Sequence, residues 1–78
     1  MPTVMRLGKY RFLFFSNERN EPRHMHVESG GSYAKFWLEP VDLESSVGYK
    51  SIELAEIRKL IQENILFLKA RWDAYFGS

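Results

Sequence analysis

Leu54, Ile57, Ile61, Ile65, Leu68, Trp72 and Tyr75 recur at three- and four-residue intervals, and this apolar stripe commits the last third of the chain to a helix. Ser51 stands where an N-cap is expected, with Glu53 and Glu56 in the first turns. Lys69 and Arg71 lie late, where cations suit the helix dipole, and Gly77 suits the stop. At 1.5 Å per residue a helix over residues 52–76 is about 37 Å long, whereas a six-residue strand covers only about 20 Å. The helix must therefore overhang its own sheet or kink, and Asn64 is the expected place for a kink. Leu66 and Phe67 point away from the main stripe. A helix apolar on several sides is normally buried on several sides, and a chain of 78 residues has little to wrap it with. A protein contact around Leu66, Phe67 and Trp72 is the expectation; the alternative is cover from the segment Tyr10 to Phe15 or from the 41–50 loop.

The remainder reads as strands. Thr3 to Leu7 and Tyr10 to Phe15 flank Gly8-Lys9, a two-residue hairpin turn. Residues 16–22 form a polar loop rich in turn formers. His24 to Glu28 and Tyr33 to Leu38 flank Gly30-Gly31, the second hairpin. Pro40 interrupts, Val41 to Leu43 is a short fifth strand, and Ser45 to Lys50 is loop. The fold class is thus α+β: an antiparallel sheet of four or five short strands packed on one long C-terminal helix. It forms a single domain over 1–78, with the sheet in 1–50 and the helix in 51–77.

A domain this small has a thin stability margin. Cysteine is absent, which excludes disulfides and thiolate zinc sites. Six Phe, four Tyr and two Trp supply the alternative, a densely aromatic core. No apolar run approaches the ~20 residues that span a bilayer, and no signal-peptide pattern opens the chain, so a cytoplasmic protein without membrane contact is expected. The net charge of +1 decides nothing about nucleic acid.

The Gly30-Gly31 turn sets the register. It places His26 opposite Lys35, His24 opposite Trp37 and Glu28 opposite Tyr33, and on the other parity Val27 opposite Ala34 and Met25 opposite Phe36. The second set is apolar and faces the helix. The first forms an open, polar face. In the first hairpin Arg6 and Arg11 stand opposite one another, which is costly without an anion nearby. Joined to the histidine face, they give a surface of Arg6, Arg11 and Lys35 beside His24, His26 and Trp37. Such a surface suits RNA or an acidic partner, or is simply a solvated sheet face.

His-x-His on a strand puts both imidazoles on one side, about 7 Å apart along the chain. The pair has three readings: structural or partner contact, acid–base work on RNA with Lys35 or an Arg stabilising the charge, or metal ligation with Glu28 as third ligand. No further His exists to complete a metal set. There is no Gly-rich phosphate loop, nucleophile elbow or paired-carboxylate motif, so no cofactor and no catalytic assignment follow beyond the candidates His24, His26 and Lys35.

Glu21-Pro22 leading to His24-Met25-His26-Val27-Glu28, then Ala34-Lys35-Phe36-Trp37-Leu38-Glu39-Pro40-Val41, then Trp72-Asp73-Ala74-Tyr75-Phe76-Gly77, resembles the bacterial domain-of-unknown-function family 4160. The opening Met1-Pro2-Thr3 fits as well, and Arg23 departs from it, since relatives often carry a second proline there. The resemblance brings no catalytic residues with it. It implies a gene neighbour from domain-of-unknown-function family 2442, in an arrangement like a toxin–antitoxin pair. The expected function is therefore a small protein-interaction module that binds a cognate small protein and possibly itself. The alternative is a toxin that binds or cleaves RNA through the basic, His-bearing face.

Overall fold

The computed structural model describes residues 3–77; Met1 and Pro2, part of the resemblance above, lie outside that range. The chain forms β1 (Thr3–Leu7), β2 (Tyr10–Leu13), β3 (His24–Ser29), β4 (Ser32–Leu38), β5 (Val41–Val47), α1 (Ser51–Glu63) and α2 (Ile65–Phe76). The strands form one antiparallel meander in the order β1-β2-β3-β4-β5. The α+β class holds.

Gly30 and Gly31 take φ of 50° and 85°, the left-handed pair that a two-residue turn between right-twisted strands needs. They fix the register as the alternation required: His24 faces Trp37, Met25 faces Phe36, His26 faces Lys35, and Val27 faces Ala34. Arg6 does face Arg11. The fifth strand runs on to Val47 instead of ending at Leu43, with the register shifting opposite Lys35 and Phe36. It is an edge strand, so the polar run Glu44-Ser45-Ser46 pairs on one side and meets solvent on the other.

The helical segment is two helices. Asn64 leaves helical geometry (φ −117°, ψ 20°), and its Nδ2 donates to the Leu60 carbonyl at 2.8 Å, where it satisfies an acceptor at the end of α1. At 13 residues α1 is about 20 Å long, the span of one strand, so the break removes the overhang. Lys50 occupies the N-cap position in place of Ser51, and its N–H donates to Glu53 Oε1 at 2.9 Å. Tyr10 Oη donates to Glu56 at 2.6 Å and Arg58 to the Val41 carbonyl at 2.7 Å, so α1 is tied to both β2 and β5.

Phe12, Met25, Val27, Ala34, Phe36 and Leu38 line the helix side of the sheet and bury Ile57, Ile61, Leu68 and Trp72. Beyond the break, α2 reaches the other end of the sheet, where Trp72 packs on Phe14 at 5.5 Å between ring centroids and on His24 at 4.8 Å. Trp72 is thus a core residue, which corrects its assignment to an exposed contact surface.

Candidate functional site

The face of the sheet away from the helices is not open, contrary to the expectation from the register. β2 ends at Leu13, and ten residues pass before β3 begins. Glu18 N–H donates to the Phe15 carbonyl and Glu21 N–H to that of Glu18, so the loop winds through two turns. Phe15 lies edge-on to His26 at 4.7 Å. Beneath it Leu13 and His24 are fully buried, and His26 is 5% exposed.

The carboxylate that reaches the histidines is therefore Glu18, not Glu28. Its Oε1 accepts the Phe15 N–H at 2.9 Å, and its Oε2 lies 2.8 Å from His26 Nε2. His26 Nδ1 meets the Tyr33 hydroxyl at 2.8 Å, and that hydroxyl can donate to it. In the neutral ring this leaves Nε2–H to donate to Glu18. His24 differs. Its Nδ1 lies 2.9 Å from the Pro22 carbonyl, and only an N–H can meet a carbonyl at that distance. Nε2 of a neutral His24 is then a bare lone pair, 3.0 Å from Glu18 Oε1 but without hydrogen-bond geometry. Among the described residues it is a buried ring nitrogen with no hydrogen-bond partner. Donor atoms of Glu18, His24 and His26 lie within 4.8 Å of one another.

Burial lowers the pKa of His26, an effect that outweighs the Glu18 carboxylate beside it. Burial is also the largest single influence on Glu18 and would raise its pKa, yet the Phe15 N–H and the His26 imidazole hold it below the usual carboxylate value.

The remaining expected site residues are paired or displaced. Lys35 donates to Glu21 at 2.7 Å and stands 4.8 Å from the Trp37 ring centre. Arg11 is bonded to Glu28 and, through Nε, to Thr3 Oγ1 at 2.8 Å. Arg6 is exposed, at the rim of a shallow groove of about 440 Å³ that Lys9, Arg11 and Glu28 also line. Glu28, the third metal ligand expected from the sequence, is thus turned to Arg11. Glu18 was missed because it lies in the polar loop. Its one signal is the length of that loop, too long for a tight hairpin between neighbouring antiparallel strands and so obliged to lie over a face.

Arg23 anchors the same region from outside. Its Nε and a terminal nitrogen each donate at 2.7 Å to the two oxygens of Asp73, a two-pronged bridge from the start of β3 to α2.

On the outer side of α2, Leu66 is 81% and Phe67 47% exposed. Ala70 and Ala74, three to four residues on, continue an exposed apolar strip.

The family described as domain of unknown function (DUF4160) matches residues 10–73, and the chain belongs to it. Searches of curated proteins and of solved structures returned no match. No helix among the described residues is long and apolar enough to cross a membrane.

Proposed function

We propose that this chain is a small protein-interaction module, one member of a toxin–antitoxin-like pair, and that it binds a cognate small protein through the outer face of α2. The observation that carries the reading is the exposure of Leu66 and Phe67, side by side on a helix whose other face is fully used in the core. Two adjacent large apolar side chains left in water are the mark of a contact surface more than of a folding need. The flanking alanines keep that face low, so a partner helix can approach closely. The gene neighbourhood implied by the family, a protein of domain-of-unknown-function family 2442, supplies a bacterial partner of suitable size. Self-association through the same strip is the competing occupant. Burial of the two histidines and pairing of Lys35 with Glu21 weigh against RNA as the ligand of the sheet face.

The test is co-expression with the product of the adjacent gene, scoring growth and co-purification. Co-purification of wild type, its loss in Phe67→Asp and an unchanged fold support the reading. A Phe67→Asp variant that still co-purifies, or a wild type that binds neither the neighbour nor itself, rejects it.

A further inference from the structure

We infer that Glu18, His24 and His26 form a binding site for a divalent transition cation, of which Zn²⁺ fits the donor set best, and that the ion clips the 14–23 loop onto the sheet. Four features converge on this. First, the donors are two imidazole nitrogens and one carboxylate, a set suited to zinc and other borderline cations and not to calcium or magnesium. Second, His24 Nε2 is a fully buried ring nitrogen without a hydrogen-bond partner among the described residues, and it lies 3.0 Å from Glu18 Oε1. A lone pair facing an anion is repulsive unless a proton or a cation lies between them. Third, both rings are oriented from behind through Nδ1, His24 by the Pro22 carbonyl and His26 by the Tyr33 hydroxyl. A metal-ligating histidine almost always has such an outer partner: the Pro22 carbonyl fixes the His24 tautomer that presents Nε2, and the Tyr33 hydroxyl, which accepts as well as donates, allows His26 the same tautomer once an ion replaces its Nε2–H. Fourth, the walls are already dry, with Phe15 and Trp72 packed against the two rings.

Zinc bonds of about 2.0–2.2 Å set ligand atoms roughly 3.3 Å apart in a tetrahedron. Glu18 Oε1 lies 3.0 Å from Nε2 of each histidine, so the carboxylate needs little adjustment, and closing the site is mainly a matter of the rings approaching each other. On binding, neutral His26 changes tautomer: its proton passes from Nε2 to Nδ1, where it is donated to the Tyr33 hydroxyl oxygen, and the ion takes its place as the bridge to Glu18. Three protein ligands leave the fourth position to a water, and the ion's role is to hold the loop in place. A cysteine-free chain of this size has no covalent staple, and an ion held by one loop residue and two strand residues would act as one.

The purified chain is stripped with a chelator and titrated with zinc, followed by calorimetry and thermal melting. One equivalent should bind, and at a zinc concentration about 100-fold above Kd the melting temperature should rise by about 10 °C or more. Glu18→Gln and His24→Gln should each abolish the shift. Because those variants sit in a buried cluster, a second readout uses wild type alone. The chain has only two histidines, so their nitrogen resonances are unambiguous. Zinc should move Nε2 of both rings and leave His24 Nδ1 as an N–H. Absence of zinc binding, binding that persists in both variants, or Nε2 signals that do not move would each overturn the assignment.

Discussion

Replacing Glu18 by Ala removes the group on which the loop over the sheet is hung, and the loss can be sized from its contacts. The Phe15 N–H loses its acceptor and the His26 Nε2–H loses its partner, both in a region where the Glu18 side chain itself is only 12% exposed. A buried polar group stranded in this way costs about 1–3 kcal/mol. Opening of the loop lets water reach both groups, so we expect a total of about 2–4 kcal/mol and not the full sum. Against a stability of about 4–12 kcal/mol for a domain of this length, that is a large fraction. Urea unfolding in the presence of a chelator, followed by tryptophan fluorescence, reads the proton-only contribution. Trp37 and Trp72 both contact His24, so the signal comes from the site itself. The pH dependence adds a second reading. The folded pKa of His26 is depressed, so the unfolded chain binds the extra proton and stability falls as pH drops below about 6.5 towards the folded value. The folded pKa of Glu18 is also depressed, so its contribution is present above about 4.5 and lost as pH falls through the folded value. Wild type should therefore lose stability on acidification in both windows. In Glu18→Ala the lower window should flatten. A loss under about 0.5 kcal/mol at pH 7, with an unchanged acid profile, would show that the carboxylate holds nothing down.

Two further outcomes follow from single contacts. Gly48 has φ of 89°, and a Cβ there would lie 2.6 Å from Ser32 Oγ and 3.3 Å from Ser32 Cα. Gly48→Ala should therefore cost about 1–3 kcal/mol in a thermal melt, more than Gly31→Ala, whose added Cβ meets open space and which pays mainly for its positive φ. Arg23→Ala removes the two-pronged bridge to Asp73, which is about one-third exposed, so a small lowering of the melting temperature is expected, and it should shrink in high salt. A salt-independent loss would point to packing of the Arg23 stem instead.

The sheet was legible because one turn fixes it. Once Gly30-Gly31 is read as a two-residue connection, every partner of β3 and β4 follows, and the apolar parity says which face meets the helices. Register says nothing, however, about what lies over the other face. The burial of His26 depends on a polar ten-residue loop, and that of His24 on the loop together with Trp72 of α2, and periodicity describes neither path. The same gap explains Glu28: it shares a strand with the histidines, which made it the visible carboxylate, while Glu18 reaches them only through the fold. In the helix, Asn64 was legible as a breaking point. Its consequence was not, because the break redirects α2 so that Trp72 turns into the core while Leu66 and Phe67 stay out. The polar end of β5 was missed because strand propensity reflects burial, and an edge strand is buried on one side only.

The outer face of α2 is the proposed partner surface. Calorimetric titration of the adjacent gene's product into wild type and into a Leu66→Ser, Phe67→Ser double variant tests it directly. Each side chain lost from an interface should cost about 1–2 kcal/mol, after allowing for the exposed surface already present in the free chain. Binding should weaken by about 30-fold to 1,000-fold, with the far-UV spectrum and melting temperature of the variant unchanged. Equal affinity in the two proteins, or a variant that no longer folds, would contradict it and make Leu66 and Phe67 ordinary surface or core residues.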